Sequence, residues 1–85
     1  MKKQIMLFTS KTCASCKTFK PIVEEIVNSY SGVLELQVYD VEEYPSLVSA
    51  WQIRTVPALV AGGITHTGPM GKSDTSRWLH DMGVL

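Results

Sequence analysis

Thr12-Cys13-Ala14-Ser15-Cys16-Lys17 holds both cysteines of the 85-residue chain, two residues apart. The stretch lies where an apolar run, Ile5-Met6-Leu7-Phe8, gives way to a long amphipathic pattern. A Cys-x-x-Cys at a strand-to-helix junction suits disulfide exchange, metal ligation or a structural staple. Four Cys or His ligands are the rule for structural zinc. Only His66 and His80 remain to complete such a set, each isolated and far from the pair. In a reducing cytosol a permanent staple is disfavoured.

Outward from the pair, the sequence alternates between two periods. Gln4 to Thr9 is a short apolar run ended by polar residues, as expected of a strand buried on both faces. From about Ala14 to Tyr30 the apolar residues Phe19, Val23, Ile26, Val27 and Tyr30 recur with helical spacing. Pro21 falls inside that pattern, where a proline removes a backbone hydrogen bond at a cost of about 3 kcal/mol. Ser31-Gly32 supplies a helix stop. Val33 to Tyr39 alternates as a second strand, closed by Asp40. Glu42 and Glu43 read as a solvated helix start, and Pro45 suits a first helical turn. Leu47, Val48 and Trp51 supply that helix's apolar stripe.

Ala58 to Ala61 reads as a third strand, Gly62-Gly63 as a hairpin turn, and Ile64 to Thr67 as the returning strand. Ser73 or Asp74 is expected to cap a last helix. Its stripe is Thr75, Trp78, Leu79 and Met82, and Gly83 ends it. Trp51, Trp78 and Tyr30 are expected in the core. The order is β-α-β-α-β-β-α, which predicts an α/β fold: a four-stranded mixed sheet flanked by three helices, in one domain over residues 1–85. The first two strands are expected to be parallel through a right-handed crossover.

Composition narrows the function classes. Hydrophobic residues make up 45% of the chain, which argues against disorder. Eight Lys+Arg balance eight Asp+Glu, giving no basic face for nucleic acid. Lys11, Lys17 and Lys20 nevertheless gather around the cysteines. The apolar stretch behind Met1-Lys2-Lys3 is too short for a signal peptide's core, and no segment approaches the ~20 apolar residues of a membrane span. The expectation is a soluble, cytoplasmic, monomeric protein.

The nucleophile in disulfide exchange is the thiolate. Cys13 should open the first helix, where unpaired N–H groups and the helix dipole favour negative sulfur. Lys11 and Lys17 are candidates to add to that field. Cys16, three residues later, should be more buried and able to resolve a mixed disulfide on Cys13. Thr55-Val56-Pro57 is the second informative stretch. A cis bond before Pro57 would let the Val56 backbone face the cysteines and hold an extended peptide as an added strand.

Taken together, these residues resemble the thioredoxin superfamily at the size of a glutaredoxin or minimal thioredoxin. The resemblance rests on Cys13-x-x-Cys16, on Pro21 five residues beyond, on Trp51-Gln52-Ile53-Arg54-Thr55-Val56-Pro57, and on Gly68 ahead of Trp78-Leu79. It implies a thiol–disulfide oxidoreductase with Cys13 as nucleophile and Cys16 as resolving residue. It also implies a substrate-binding surface at Thr12, Thr55, Val56 and Pro57, with no cofactor beyond the redox-active disulfide and no metal. Oxidised proteins, ribonucleotide reductase among them, are the implied substrates, and a thioredoxin reductase is the implied electron source. The alternative within the superfamily is a glutaredoxin using glutathione, held by Gly71, Ser73 and Asp74. A non-catalytic peptide-binding module built on the Pro57 loop is the third reading. The sequence departs from thioredoxins in having Thr12 for the preceding Trp and Ala14-Ser15 for Gly-Pro. The family's buried aspartate and its lysine partner fall at Leu7 and near Leu36, and its additional N-terminal strand and helix are missing.

Overall fold

The computed structural model describes residues 2–85; Met1, the first residue of the Met1-Lys2-Lys3 segment, lies outside them. Seven elements follow in the expected order: β1 (Lys3–Thr9), α1 (Ala14–Ser29), β2 (Leu34–Asp40), α2 (Pro45–Ala50), β3 (Ala58–Ala61), β4 (Ile64–Thr67) and α3 (Lys72–Asp81). The strands form one sheet in the order β2-β1-β3-β4. β1 pairs parallel with β2, from Lys3 opposite Leu34 to Thr9 opposite Asp40. It pairs antiparallel with β3, where Phe8 faces Ala58. β3 and β4 are an antiparallel hairpin. Gly62 and Gly63 turn it with φ of 59° and 79°, the left-handed pair that a two-residue hairpin of this kind demands.

Why the apolar run of β1 does not alternate is now clear: β1 is an inner strand covered on both faces. Ile5 and Leu7 join Phe19, Val23 and Ile26 of α1 and Leu79 of α3 in one core cluster. Phe8 joins Ile53, Ala58 and Val60 in a second, with Met6, Leu47, Val48 and Trp51 packed against it. The molecule is therefore three layers: α1 and α3 on one face of the sheet, α2 on the other.

α1 runs unbroken through Pro21, whose exposed ring sits opposite the buried stripe of Cys16, Phe19, Val23, Ile26 and Val27. Tyr30 does not join that stripe. It is the C-cap, 39% exposed, with its N–H bonded to the Val27 carbonyl. Gly32 is not the left-handed stop expected of it, because the chain turns through the Tyr30 carbonyl, which accepts from Val33 and Leu34. Val33 thus belongs to the turn, and β2 runs one residue further than expected, through Asp40.

α2 is only six residues, begins at Pro45 and buries none of its residues fully. Glu42 and Glu43 precede it in a turn anchored on Asp40, which accepts from Glu42 through its carboxylate and from Glu43 and Tyr44 through its carbonyl. Trp51 caps α2, and Trp78 packs against His66; both tryptophans are half-buried at the margins of the core. α3 starts one residue before the expected caps, with Gly71 at its N-cap and Ser73 and Asp74 inside the first turn. What ties that turn down is buried Thr75, whose Oγ1 and N–H both donate to the Gly71 carbonyl. Gly83, at φ 75°, ends the helix as expected.

Candidate active site at the Cys13–Cys16 disulfide

Two strand pairings meet at this site. β1 ends at Thr9, and the next residues form a tight turn held by Ser10. Its carbonyl accepts from the Cys13 N–H at 3.2 Å, and its hydroxyl lies 3.2 Å from that of Thr12. Because Phe8 faces Ala58, the residues just before β3 arrive beside the residues just after β1. Val56-Pro57, joined by a cis bond, is therefore delivered to the cysteine turn across 43 residues of sequence.

Cys13 and Cys16 are joined in a disulfide, with Cα atoms 5.3 Å apart. Cys13 is the N-cap of α1, and its sulfur accepts the Cys16 N–H at 3.1 Å. An unpaired first-turn amide thus points at this sulfur, and the same amide would stabilise a thiolate there once the bond is opened. The two sulfurs differ in access. Cys13 is half-buried, whereas Cys16 is 3% exposed. The Cys13 Sγ stands 3.7 Å from the Val56 carbonyl oxygen. Among the described residues, the Val56 N–H donates to no other backbone group. The Pro57 carbonyl instead accepts from Gly68 at 2.8 Å, which pins the loop from behind.

Of the residues singled out from sequence, the fold gathers Thr12, Cys13, Cys16, Val56 and Pro57 around one point. Thr55 is exposed beside them. Lys11 and Lys17 flank a cleft that also reaches Cys16, and Lys11 pairs with Glu43 at 3.6 Å. Gly71, Ser73 and Asp74 fall at the start of α3. There Ser73 lines a shallow depression with Lys72, Ser76, Arg77 and His80, and neither cysteine reaches it. Leu7 is fully buried among apolar residues of the core. Among the described residues no group of three or more His, Cys, Asp and Glu side chains is placed to hold a metal ion.

Sequence reasoning passed over Ser10, Asp40 and Tyr44. Asp40 and Tyr44 share the Cys16 cleft because β2 ends opposite Thr9. The parallel register of β1 and β2, once drawn residue by residue, is the signal that finds Asp40.

A thioredoxin-like α/β sheet that sets a Cys-x-x-Cys disulfide at a helix N-terminus against a cis-proline loop defines the class. The sequence matches the thioredoxin family over residues 1–76, and the chain belongs to that family. Similar curated proteins include the thioredoxins of Staphylococcus aureus strains MW2 and COL. Each is 30% identical over 57 residues, covering 67% of this chain and 55% of the relative. The chain thus spans about half the length of the curated relatives it matches. No helix among the described residues is long and apolar enough to cross a membrane.

Proposed function

We propose that the protein is a thiol–disulfide oxidoreductase that reduces protein disulfides by dithiol exchange. One observation carries this: the accessible sulfur of Cys13, capping α1, faces the open Val56 backbone while Cys16 is buried one turn behind. In the reduced protein the Cys13 thiolate attacks one sulfur of a substrate disulfide. A Cys13–substrate bond forms, and the other substrate sulfur leaves as a thiolate and takes up a proton. Cys16 then loses its proton and attacks the Cys13 sulfur. The Cys13–Cys16 bond forms, the mixed disulfide breaks, and the substrate leaves as a dithiol.

Thr12, Thr55, Val56 and Pro57 hold the substrate segment in this reading. An extended peptide passing Val56 bonds its backbone to the N–H and C=O there, as a strand added at an edge. Electrons return from a thioredoxin reductase, by analogy with the family to which the chain belongs, and the setting is a reducing compartment such as the cytosol.

Reduction of insulin disulfides tests the reading. Wild-type protein should accelerate the reaction, Cys13→Ser should abolish it, and Cys16→Ser should accumulate a mixed disulfide with the substrate. A Cys13→Ser protein with undiminished turnover would sink the proposal. Recycling is tested by two separate assays, one with thioredoxin reductase and one with glutathione plus its reductase. Turnover confined to the glutathione assay would overturn the assigned electron source and leave the exchange chemistry standing.

A further inference from the structure

Resolution requires Cys16 to lose a proton, yet Cys16 is 3% exposed. An outlet exists. A solvent-open cleft of about 490 Å³ between the start of α1 and the end of β2 reaches Cys16. Its charged and titratable groups come from three segments: Lys11 from the turn before α1, Lys17 and Lys20 from α1, and Asp40, Glu43 and Tyr44 from the end of β2 and the turn after it.

These groups are not equivalent. Lys11 is paired with Glu43. Asp40 has one carboxylate oxygen committed to the Glu42 N–H at 2.8 Å. Tyr44 stacks edge-on against Tyr39, with centroids 4.9 Å apart. Among the described residues the ion pairs are Lys11–Glu43 and Lys72–Glu25, so Lys17 and Lys20 carry ammonium groups without a carboxylate partner. Lys20 is four residues from Cys16, the spacing that stacks two side chains on one helix face about 5–6 Å apart at Cβ. Lys17 is the next residue in the helix and so projects at a different angle. Lys20 therefore shares both a helix face and a cleft with Cys16.

We infer that this cleft is the path by which Cys16 exchanges its proton with solvent, and that Lys20 is the positioning charge that holds the Cys16 thiolate during resolution. The inference rests on the dithiol-exchange reading given above. Electrons and protons balance without another reactant. The Cys16 proton passes to cleft water, the sulfur's electron pair forms the bond to Cys13, and the departing substrate sulfur takes a proton from solvent. Asp40, the opposing charge in the same cleft, acts against Lys20.

The test is pre-steady-state oxidation of the reduced protein by 4,4′-dithiodipyridine, a neutral reagent whose approach one lysine does not steer. Attack by Cys13 releases a first thiopyridone. Resolution by Cys16 releases a second, in a separate phase, and each phase is followed from about pH 5.5 to 9.5. Lys20→Gln should move the midpoint of the second phase to higher pH and slow it about three- to tenfold at pH 7, the effect of one partly screened charge. The first phase should be unchanged, and Lys20→Arg should restore the wild-type profile. Asp40→Asn, which keeps an oxygen for the Glu42 N–H, should move the second phase the opposite way.

An unmoved second phase in Lys20→Gln overturns the inference, as does a Lys20→Arg protein that behaves like Lys20→Gln, or both phases slowing together. A second phase moved to higher pH in Asp40→Asn also overturns it, because Asp40 would then be accepting the proton itself. Wild-type protein that releases a single thiopyridone sinks the exchange reading beneath it, a result distinguishable from all of these.

Discussion

Cys13 owes its chemistry to one position in the chain. As N-cap it places its sulfur 3.1 Å from the Cys16 amide, an N–H that an ordinary cap would satisfy with a hydroxyl or carboxylate oxygen. Sulfur fills that role here. Position 62 is equally determined, for a steric reason. Gly62 has φ 59°, and a Cβ placed there would lie 2.7 Å from the Met82 carbonyl oxygen. Gly62→Ala should destabilise the protein by about 1–3 kcal/mol in urea-induced unfolding, since backbone strain and a backbone clash add. Gly63 carries a similar φ of 79° but has nothing within 4 Å, so Gly63→Ala should cost about 1 kcal/mol, the strain alone. Equal losses at the two positions would show that the Met82 contact contributes nothing.

At the level of elements, α3 shows how a helix start is set by a buried residue when its exposed cap candidates are not used. Ser73 and Asp74 match the composition of a cap, yet the chain enters the helix earlier because Thr75 is fully buried and bonds back to Gly71 at 2.8 Å. Thr75→Val preserves shape and removes that hydroxyl. The Gly71 carbonyl keeps the Thr75 amide as partner, so the loss should be about 0.5–1.5 kcal/mol. Thr75→Ala adds a cavity and should cost more. A Val variant as stable as wild type would remove the hydroxyl from this account. The boundary of α1 makes the same point from the other side. Tyr30 continues the apolar spacing, but the turn to β2 is built on its carbonyl, and its ring is left 39% exposed.

For the whole molecule, the radius of gyration of 11.9 Å matches the ~12 Å expected of a compact chain this long. Both faces of the sheet are covered, and the C-terminal tail is drawn in. Val84 is 5% exposed, its N–H donates to the Leu79 carbonyl, and Lys3 Nζ reaches the Gly83 carbonyl at 2.8 Å. The disulfide closes a short loop, with a sequence separation of 3. Chain-entropy reasoning for so small a ring gives about 2 kcal/mol in favour of the oxidised form. Reduction should therefore lower the Tm by about 10 °C for a domain of this size, measured by calorimetry with and without a thiol reductant. A reduced form that melts higher than the oxidised form would mean that the dithiol gains more from the α1 terminus than the ring entropy supplies.

The element order, the strand-to-helix setting of the cysteines, the Gly62-Gly63 hairpin and the family are all legible along the chain. Each is written in local periodicity, in glycine and proline positions, or in the spacing of two cysteines. Which residues from far along the chain reach the pair depends on how the strands pair. Val56 reaches Cys13 through the β1–β3 register, and Asp40 shares a cleft with Cys16 through the β1–β2 register. The same holds for the aromatic residues, whose stripe positions give their direction but not their depth. Trp51 and Trp78 end half-buried against the two core clusters. Periodicity reports which way a side chain points, whereas the distance between residues far apart in sequence is fixed by how the layers pack. Around Cys16 both kinds meet: Lys20 lies one helical turn along the sequence, whereas Asp40 arrives through the β1–β2 register.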